Sequence, residues 1–211
     1  MLLALDTSTP LVSVALYDEG AVLDVSTSDR PMQHGEQLAP MISAALERVE
    51  AVRQDVSAIA AGVGPGPFTG LRVGLVTART LGFALGIPVY GVCSLDVLAV
   101  QAVDGGVHEP FLATIDARRK ELFWASYDEQ GTRLDGPHVD RPTDLPDDRL
   151  VVGAAGGLYR SEFERVSGPA APSAATLALV VTDERAELLD PEPIYLRRPD
   201  AAIPGPPKRV S

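Results

Sequence analysis

The chain has one cysteine, Cys93, among 211 residues. A lone thiol closes no intramolecular disulfide and supplies no cysteine pair for a metal. Histidine is nearly as scarce. His34, His108 and His138 are the only three, and no two stand at His-x-x-x-His or His-Glu-x-x-His spacing, so a helical zinc site is not expected. There is no Gly-x-Ser-x-Gly elbow and no visible Ser/His/Asp arrangement. Positive charge is also in short supply: 18 Lys and Arg against 29 Asp and Glu leave a net charge of −11. Proteins that grip nucleic acid by themselves carry a basic patch, because neutralising phosphates drives that binding. A free nucleic-acid-binding module is therefore disfavoured. No apolar run approaches the roughly 18–20 residues needed to span a membrane. Residues 1–5 are apolar but lack a basic flank, and Asp6 interrupts them, so no secretory leader is expected there and the expected location is the cytoplasm.

What is present is a 45% hydrophobic chain, enough for one large core or two small ones. Residues 2–5, 12–17 and 21–27 read as three strands, with a turn at Asp18-Glu19-Gly20. Residues 35–50 carry Leu38, Ile42, Ala45, Leu46 and Val49 at helical spacing. His34 with Glu36 reads as a capping arrangement at its start. Residues 57–63 read as a strand, 64–70 as a loop and 71–85 as a helix stopped by Gly86 and Pro88. Thr69 reads as that helix's N-cap. A strand at 88–92 follows, then a helix capped by Ser94 and running to about residue 102.

Asp104-Gly105-Gly106 breaks the pattern, and a similar unit restarts. Residues 111–115 lead to Asp116, and 121–127 lead to a turn at Asp128-Glu129-Gln130-Gly131. Sliding the chain by 110 residues aligns the two starts without a gap. Leu2, Asp6, Ala15, Tyr17, Asp18 and Glu19 match Leu112, Asp116, Ala125, Tyr127, Asp128 and Glu129. Average residue usage gives about one match in such a stretch. The repeat implies a duplicated α/β unit. Residues 134–149, rich in Pro and Asp, read as irregular. Residues 150–152 read as a strand, and 155–166 and 174–189 as helices. The tail from Pro191 to Ser211, with Arg197, Arg198, Lys208 and Arg209, reads as disordered or ordered by a partner.

Asp6-Thr7-Ser8 admits two readings. A strand-end carboxylate with two hydroxyls can hold hydrated Mg²⁺ and donate to phosphate, or it can cap the turn into the next strand. Gly64-Pro65-Gly66-Pro67-Phe68-Thr69-Gly70 sits where phosphate loops sit, but it is neither a Walker A nor a Rossmann fingerprint. Its prolines remove N–H groups that a phosphate cradle needs. Beyond it, Gly70, Gly74, Ala78, Gly82 and Gly86 recur every four residues. Each glycine costs a soluble helix about 1 kcal/mol against alanine, so the row calls for a compensating close approach. The approaching element is either this chain's own sheet or a partner's helix.

Several segments together resemble the TsaB (YeaZ) family. They are Asp6-Thr7-Ser8, His34-Gly35-Glu36-Gln37-Leu38-Ala39-Pro40, the loop with Phe68-Thr69-Gly70-Leu71-Arg72, Cys93-Ser94-Leu95-Asp96, Asp116-Ala117-Arg118 with Glu121, and Pro193-Ile194-Tyr195-Leu196-Arg197. The glycine loop is the most specific. Pro67 departs from the family, which usually has Ser there. The resemblance implies an α/β chain with the actin-like ATPase (ASKHA) fold: two related lobes, each a mixed sheet flanked by helices. Residues 1–103 would form the N-terminal lobe, and 104–211 a smaller, degenerate lobe with a Pro-rich tail.

It further implies a non-catalytic subunit in bacterial synthesis of threonylcarbamoyladenosine at position 37 of tRNAs reading ANN codons. TsaD, holding a metal through two histidines, would perform the transfer, and TsaE, an ATPase, would join them. tRNA would be met only through the complex. On this reading the chain needs no cofactor or metal, and Asp6, Thr7 and Ser8 are a vestigial phosphate site with room for weak ATP or ADP binding. The expected partner surface is the pair of helices at 35–50 and 70–86. Leu38, Met41, Ile42, Leu75 and Leu81 would serve as anchors, and Gly70, Gly74, Ala78 and Gly82 would admit the partner closely. The same surface would serve a homodimer in isolation. The competing readings are an ATP-dependent phosphotransferase using Asp6 and Asp116, for which the chain is short, and a metallopeptidase, for which the histidine pair is missing.

Overall fold

In the computed structural model, residues 1–28, 30, 33–145 and 148–197 are described. Five strands form the first sheet: β1 (Leu2–Asp6), β2 (Ser13–Asp18), β3 (Ala21–Thr27), β4 (Ala58–Gly62) and β5 (Val89–Val92), in the order β3-β2-β1-β4-β5. β1 to β3 are an antiparallel meander, while β4 and β5 add in parallel. Four strands form the second sheet: β6 (Phe111–Asp116), β7 (Leu122–Tyr127), β8 (Arg133–Asp140) and β9 (Leu150–Val152), in the order β8-β7-β6-β9. Again a meander is followed by a parallel strand. The repeated architecture is that of the actin-like fold.

β1 is buried along its whole length, which is why it reads as an unbroken apolar run rather than an alternating one. One face, with Leu3 and Leu5, packs on α1 (His34–Arg48) and α2 (Phe68–Leu85) through Leu38, Ile42, Leu75 and Ala78. The other face, with Leu2 and Ala4, packs on Ala174, Leu177 and Ala178 of α5 (Ala174–Thr182). In the second sheet Phe111, Ala113 and Ile115 pack on Leu95, Leu98 and Ala99 of α3 (Ser94–Asp104). Leu112 and Val151 pack on Ala155 of α4 (Ala154–Leu158) and on Phe163. The helices thus cross over. α3 leaves the first sheet and covers the second, and α5 follows the second sheet and covers the first.

The gap-free repeat does not survive in three dimensions. Asp6 pairs with Ser13, whereas Asp116 pairs with Leu122, so the first connecting loop is one residue longer. The slip shifts the partners of the second strand, and the two aspartates keep equivalent places in β1 and β6. By strand alternation Asp116 shares the face of Leu112, away from α3, while Asp6 shares the face of Leu2 and Ala4 and reaches Ser94 of α3.

Several local expectations are corrected. Residues 133–140 form a strand rather than an irregular segment. β8 is the outer edge strand, where polar composition and Pro137 are tolerated because one side needs no ladder. Gly136 is required there, because a Cβ would lie 2.9 Å from Ala125 Cα. The helix expected over 155–166 is the short α4, which stops at Leu158 just beyond Gly156-Gly157. The helix expected to reach residue 189 ends at Thr182. α2 starts at Phe68 with Pro67 as its cap residue, placing Thr69 inside the first turn. α3 is preceded by Cys93 as its cap residue, and the Ser94 hydroxyl is used elsewhere. His34 makes no capping bond, and its Nε2 meets the carbonyl of Thr9 at 2.7 Å. Of the tail, residues 191–197 are placed, and Arg198, Lys208 and Arg209 lie outside the described residues.

Candidate functional site

The Asp6-Thr7-Ser8 loop turns inward. Asp6 is 2% exposed, and Thr7 and Ser8 are fully buried. Asp6 Oδ1 accepts from the Ser8 amide at 2.8 Å and from the Ser8 hydroxyl at 2.6 Å. Its Oδ2 accepts the Ser94 hydroxyl at 2.7 Å, and Ser94 Oγ in turn accepts the Gly64 amide at 3.2 Å. Burial pushes the Asp6 carboxyl above its ordinary range, against the pull of the Ser8 and Ser94 bonds. Thr7 donates its hydroxyl to the Gly70 carbonyl at 2.9 Å. All three side chains bond within the chain, and none presents an oxygen to solvent for Mg²⁺ or phosphate. The expected vestigial phosphate site is here an internal clasp.

The glycines explain themselves against this clasp. A Cβ on Gly62 would lie 1.9 Å from Asp6 Oδ2, one on Gly66 would lie 2.4 Å from the Ser8 carbonyl, and one on Gly74 would lie 2.2 Å from Thr7 Oγ1. Gly70 meets the Thr7 carbonyl and the His34 ring, and Gly82 meets Val89. The four-residue row on α2 is therefore the bed for the chain's own loop and strand. Gly70, Gly74, Leu75, Ala78 and Gly82 are buried, as are Leu38 and Ile42 on α1. Met41 and Leu81 pack on the same core. The buried members of this set are spent on the fold, while Met41 and Leu81 stay partly exposed.

The opposite face of α2 is different. Phe83 is 92% exposed and Val76 61% exposed, seven residues apart and so on one side of the helix. At the N-terminal end of that face Phe68 stacks on Tyr195 with centroids 5.2 Å apart. Arg72 lies over the Phe68 ring and donates to Tyr195 Oη at 3.0 Å. Tyr195 belongs to a C-terminal strap. Leu189 exchanges backbone bonds with Gly91, Ile194 donates to the Val63 carbonyl, and Arg197 donates to the Ala117 carbonyl. Leu189 and Ile194 contact the cores of both lobes. The strap ties the glycine loop to the second lobe's hairpin.

That hairpin holds a conformational anomaly. Arg118, Arg119 and Lys120 all have positive φ, at 60°, 56° and 60°. Left-handed backbone costs an L-residue about 1–2 kcal/mol each. Asp116 accepts the Arg118 amide at 2.9 Å and lies 3.5 Å from the Arg118 guanidinium.

A second buried polar group was not legible in the sequence. Tyr127 donates to Asp96 Oδ1 at 2.7 Å, and Arg133 lies 3.3 Å from Asp96 Oδ2. Asp96 and Arg133 border a cavity of about 280 Å³ that Arg185 and Glu187 also line. Beside them burial pushes the Cys93 thiol up to about 12, which leaves almost no thiolate at neutral pH. Among the described residues no three His, Cys, Asp or Glu side chains are placed to hold a metal, and no helix is long and apolar enough to cross a membrane.

Comparison with known proteins gives a consistent picture. Residues 29–163 match the family described as TsaD: tRNA N6-adenosine threonylcarbamoyltransferase. An uncharacterized Mycobacterium tuberculosis protein is 40% identical over 205 residues, covering 94% of this chain and 92% of that protein. The tRNA threonylcarbamoyladenosine biosynthesis protein TsaB of Bacillus subtilis is 30% identical over 179 residues, covering 79% of this chain and 76% of its own length. The solved structure of YeaZ from Pseudomonas aeruginosa superposes with a TM-score of 0.78 at 32% identity, covering 92% of this chain and 99% of that one.

Proposed function

The chain belongs to the TsaB (YeaZ) family, and from that premise we propose that it is a non-catalytic subunit in tRNA threonylcarbamoyladenosine synthesis, docking on the catalytic subunit TsaD. The observation that carries this reading is the division of labour on α2. One face is consumed by the chain's own loop. The other leaves Phe83 and Val76 in water among Arg72, Arg79 and Thr80, and large apolar side chains so exposed lose free energy unless a partner covers them. The partner surface is thus the outward face of α2, with Val76 and Phe83 as anchors in place of the buried residues named from the sequence. The clasped Asp6 supports the non-catalytic role, since its carboxylate is already fully engaged.

TsaE joins the assembly through this pair, and tRNA is met as its substrate. Two copies of this chain pair through the same face of α2 when the catalytic subunit is absent. The test is copurification of the tagged chain with TsaD from cell extract. Val76→Arg and Phe83→Arg, placed on exposed positions, abolish it while the variants remain folded. Undiminished capture of TsaD by both variants would sink the reading. Arginine at Ile42 or Ala78 is no test, because both sites are in the core and the chain itself would fail.

A further inference from the structure

We propose that Arg119 and Lys120, at the tip of the turn between β6 and β7, contact the phosphate backbone of the tRNA that the assembled complex modifies. This rests on the function proposed above and extends it to a named surface of this subunit. A hairpin turn ordinarily takes glycine or asparagine where φ is positive. Here three consecutive long cations occupy left-handed positions. Such outliers persist only where the surroundings over-determine them, and they concentrate at functional sites.

The surroundings do over-determine this turn. Ala117 donates to the Glu121 carbonyl at 3.0 Å, and Glu121 donates to the Arg118 carbonyl at 3.1 Å. Asp116 takes the Arg118 amide. Arg197, from the far end of the chain, donates to the Ala117 carbonyl at 2.9 Å and pairs with Glu121. Both ends of the turn are fixed, and residues 118–120 are exposed. The corresponding loop of the first lobe folds inward onto glycines, whereas this one projects.

Charge makes the projection selective. The chain carries a net charge of −11, and Lys120 is one of its two lysines. Arg119 and Lys120 are exposed cations at the tip of this turn, on a molecule whose general field repels a polyanion. A phosphate chain is therefore attracted to the turn and deflected elsewhere. The turn is also tied to the N-terminal end of the helix that carries the proposed partner surface. Tyr195 stacks at the start of α2, and two residues later Arg197 holds the turn, a reach of at most roughly 7 Å.

The experiment is tRNA binding by the reconstituted complex of the full chain with TsaD, followed by anisotropy of labelled tRNA across a salt series. Asparagine tolerates left-handed backbone, so the Arg119→Asn/Lys120→Asn double variant removes charge while keeping the turn. The expected result is binding weaker by roughly tenfold near 0.1 M salt, with a log–log salt slope shallower by about two, one per phosphate contact. Arg119→Lys retains the charge and the slope. An unchanged slope in the double variant overturns the proposal while leaving the subunit role intact. Loss of assembly by the folded double variant also overturns it, because the turn would then be a protein contact. If the unaltered chain does not assemble with TsaD, the subunit role fails and this inference fails with it.

Discussion

Asp6 Oδ2 accepts the Ser94 hydroxyl at 2.7 Å across 88 residues of sequence. This joins the end of the first sheet's central strand to the helix that covers the other sheet. Ser94→Ala leaves one oxygen of a buried carboxylate without its donor. The expected loss is about 1–3 kcal/mol, read as a lower urea midpoint with unchanged slope.

The same carboxylate sets a pH dependence. Burial raises the folded-state pKa of Asp6, and that of Asp96 in the same direction. The folded protein then holds these protons more tightly than the unfolded chain, whose aspartates titrate near about 3.9. The resulting stability is present below that value and is lost as pH rises through the folded-state pKa. Asp6→Asn, which cannot titrate, flattens part of this decline in denaturation midpoints measured from pH 4 upward. A decline of identical steepness in the variant would refute the assignment.

Gly74→Ala brings a methyl to 2.2 Å from Thr7 Oγ1. Overpacking of this kind costs about 1–3 kcal/mol. Thr7→Ala removes the obstructing atom, so the double variant should lose less than the sum of the singles. A positive coupling in the double-mutant cycle locates the glycine row's partner within the chain. Strict additivity would argue against that.

Cys93 is buried, with its thiol held near 12. A thiol-reactive probe at pH 7.5 should label the denatured protein rapidly and the native protein only as fast as it opens. Rapid native labelling would contradict the packing described around α3.

Division between residues 103 and 104 should not yield a folded N-terminal piece. Residues 1–103 contain the whole first sheet but lack α5, leaving the Leu2, Ala4 and Ala15 face bare. The fragment should bind a hydrophobic dye strongly and melt without cooperativity. Coexpression with residues 104–211 should restore both properties.

The legible parts of the fold were those with local causes. β1 announces itself because both faces are buried, and the repeated meander shows through matching strand ends and turns. β8 was hidden because an edge strand has no need of an apolar pattern. The glycine row on α2 was visible, but its direction was not. Which side faces inward depends on where Thr7 comes to rest, more than sixty residues away. The Val76 and Phe83 positions are hidden for the same reason, since two apolar residues among Arg72, Arg79 and Thr80 do not say by themselves which side water keeps. The left-handed turn at 118–120 depends on Arg197, which no window of sequence around the turn contains.

The crossing of α3 and α5 has a consequence for synthesis. The first sheet is complete at residue 92, and the helix that closes its second face ends at residue 182, 90 residues later. At about 5–20 residues per second, a ribosome holds that apolar face uncovered for roughly 5–18 s. Ala174 ends the wait when its amide reaches the Ser13 hydroxyl at 2.9 Å, a contact spanning 161 residues. Until then the nascent lobe is a client for whatever shields exposed sheets in the cell, and a codon or temperature change that slows this stretch lengthens its exposure.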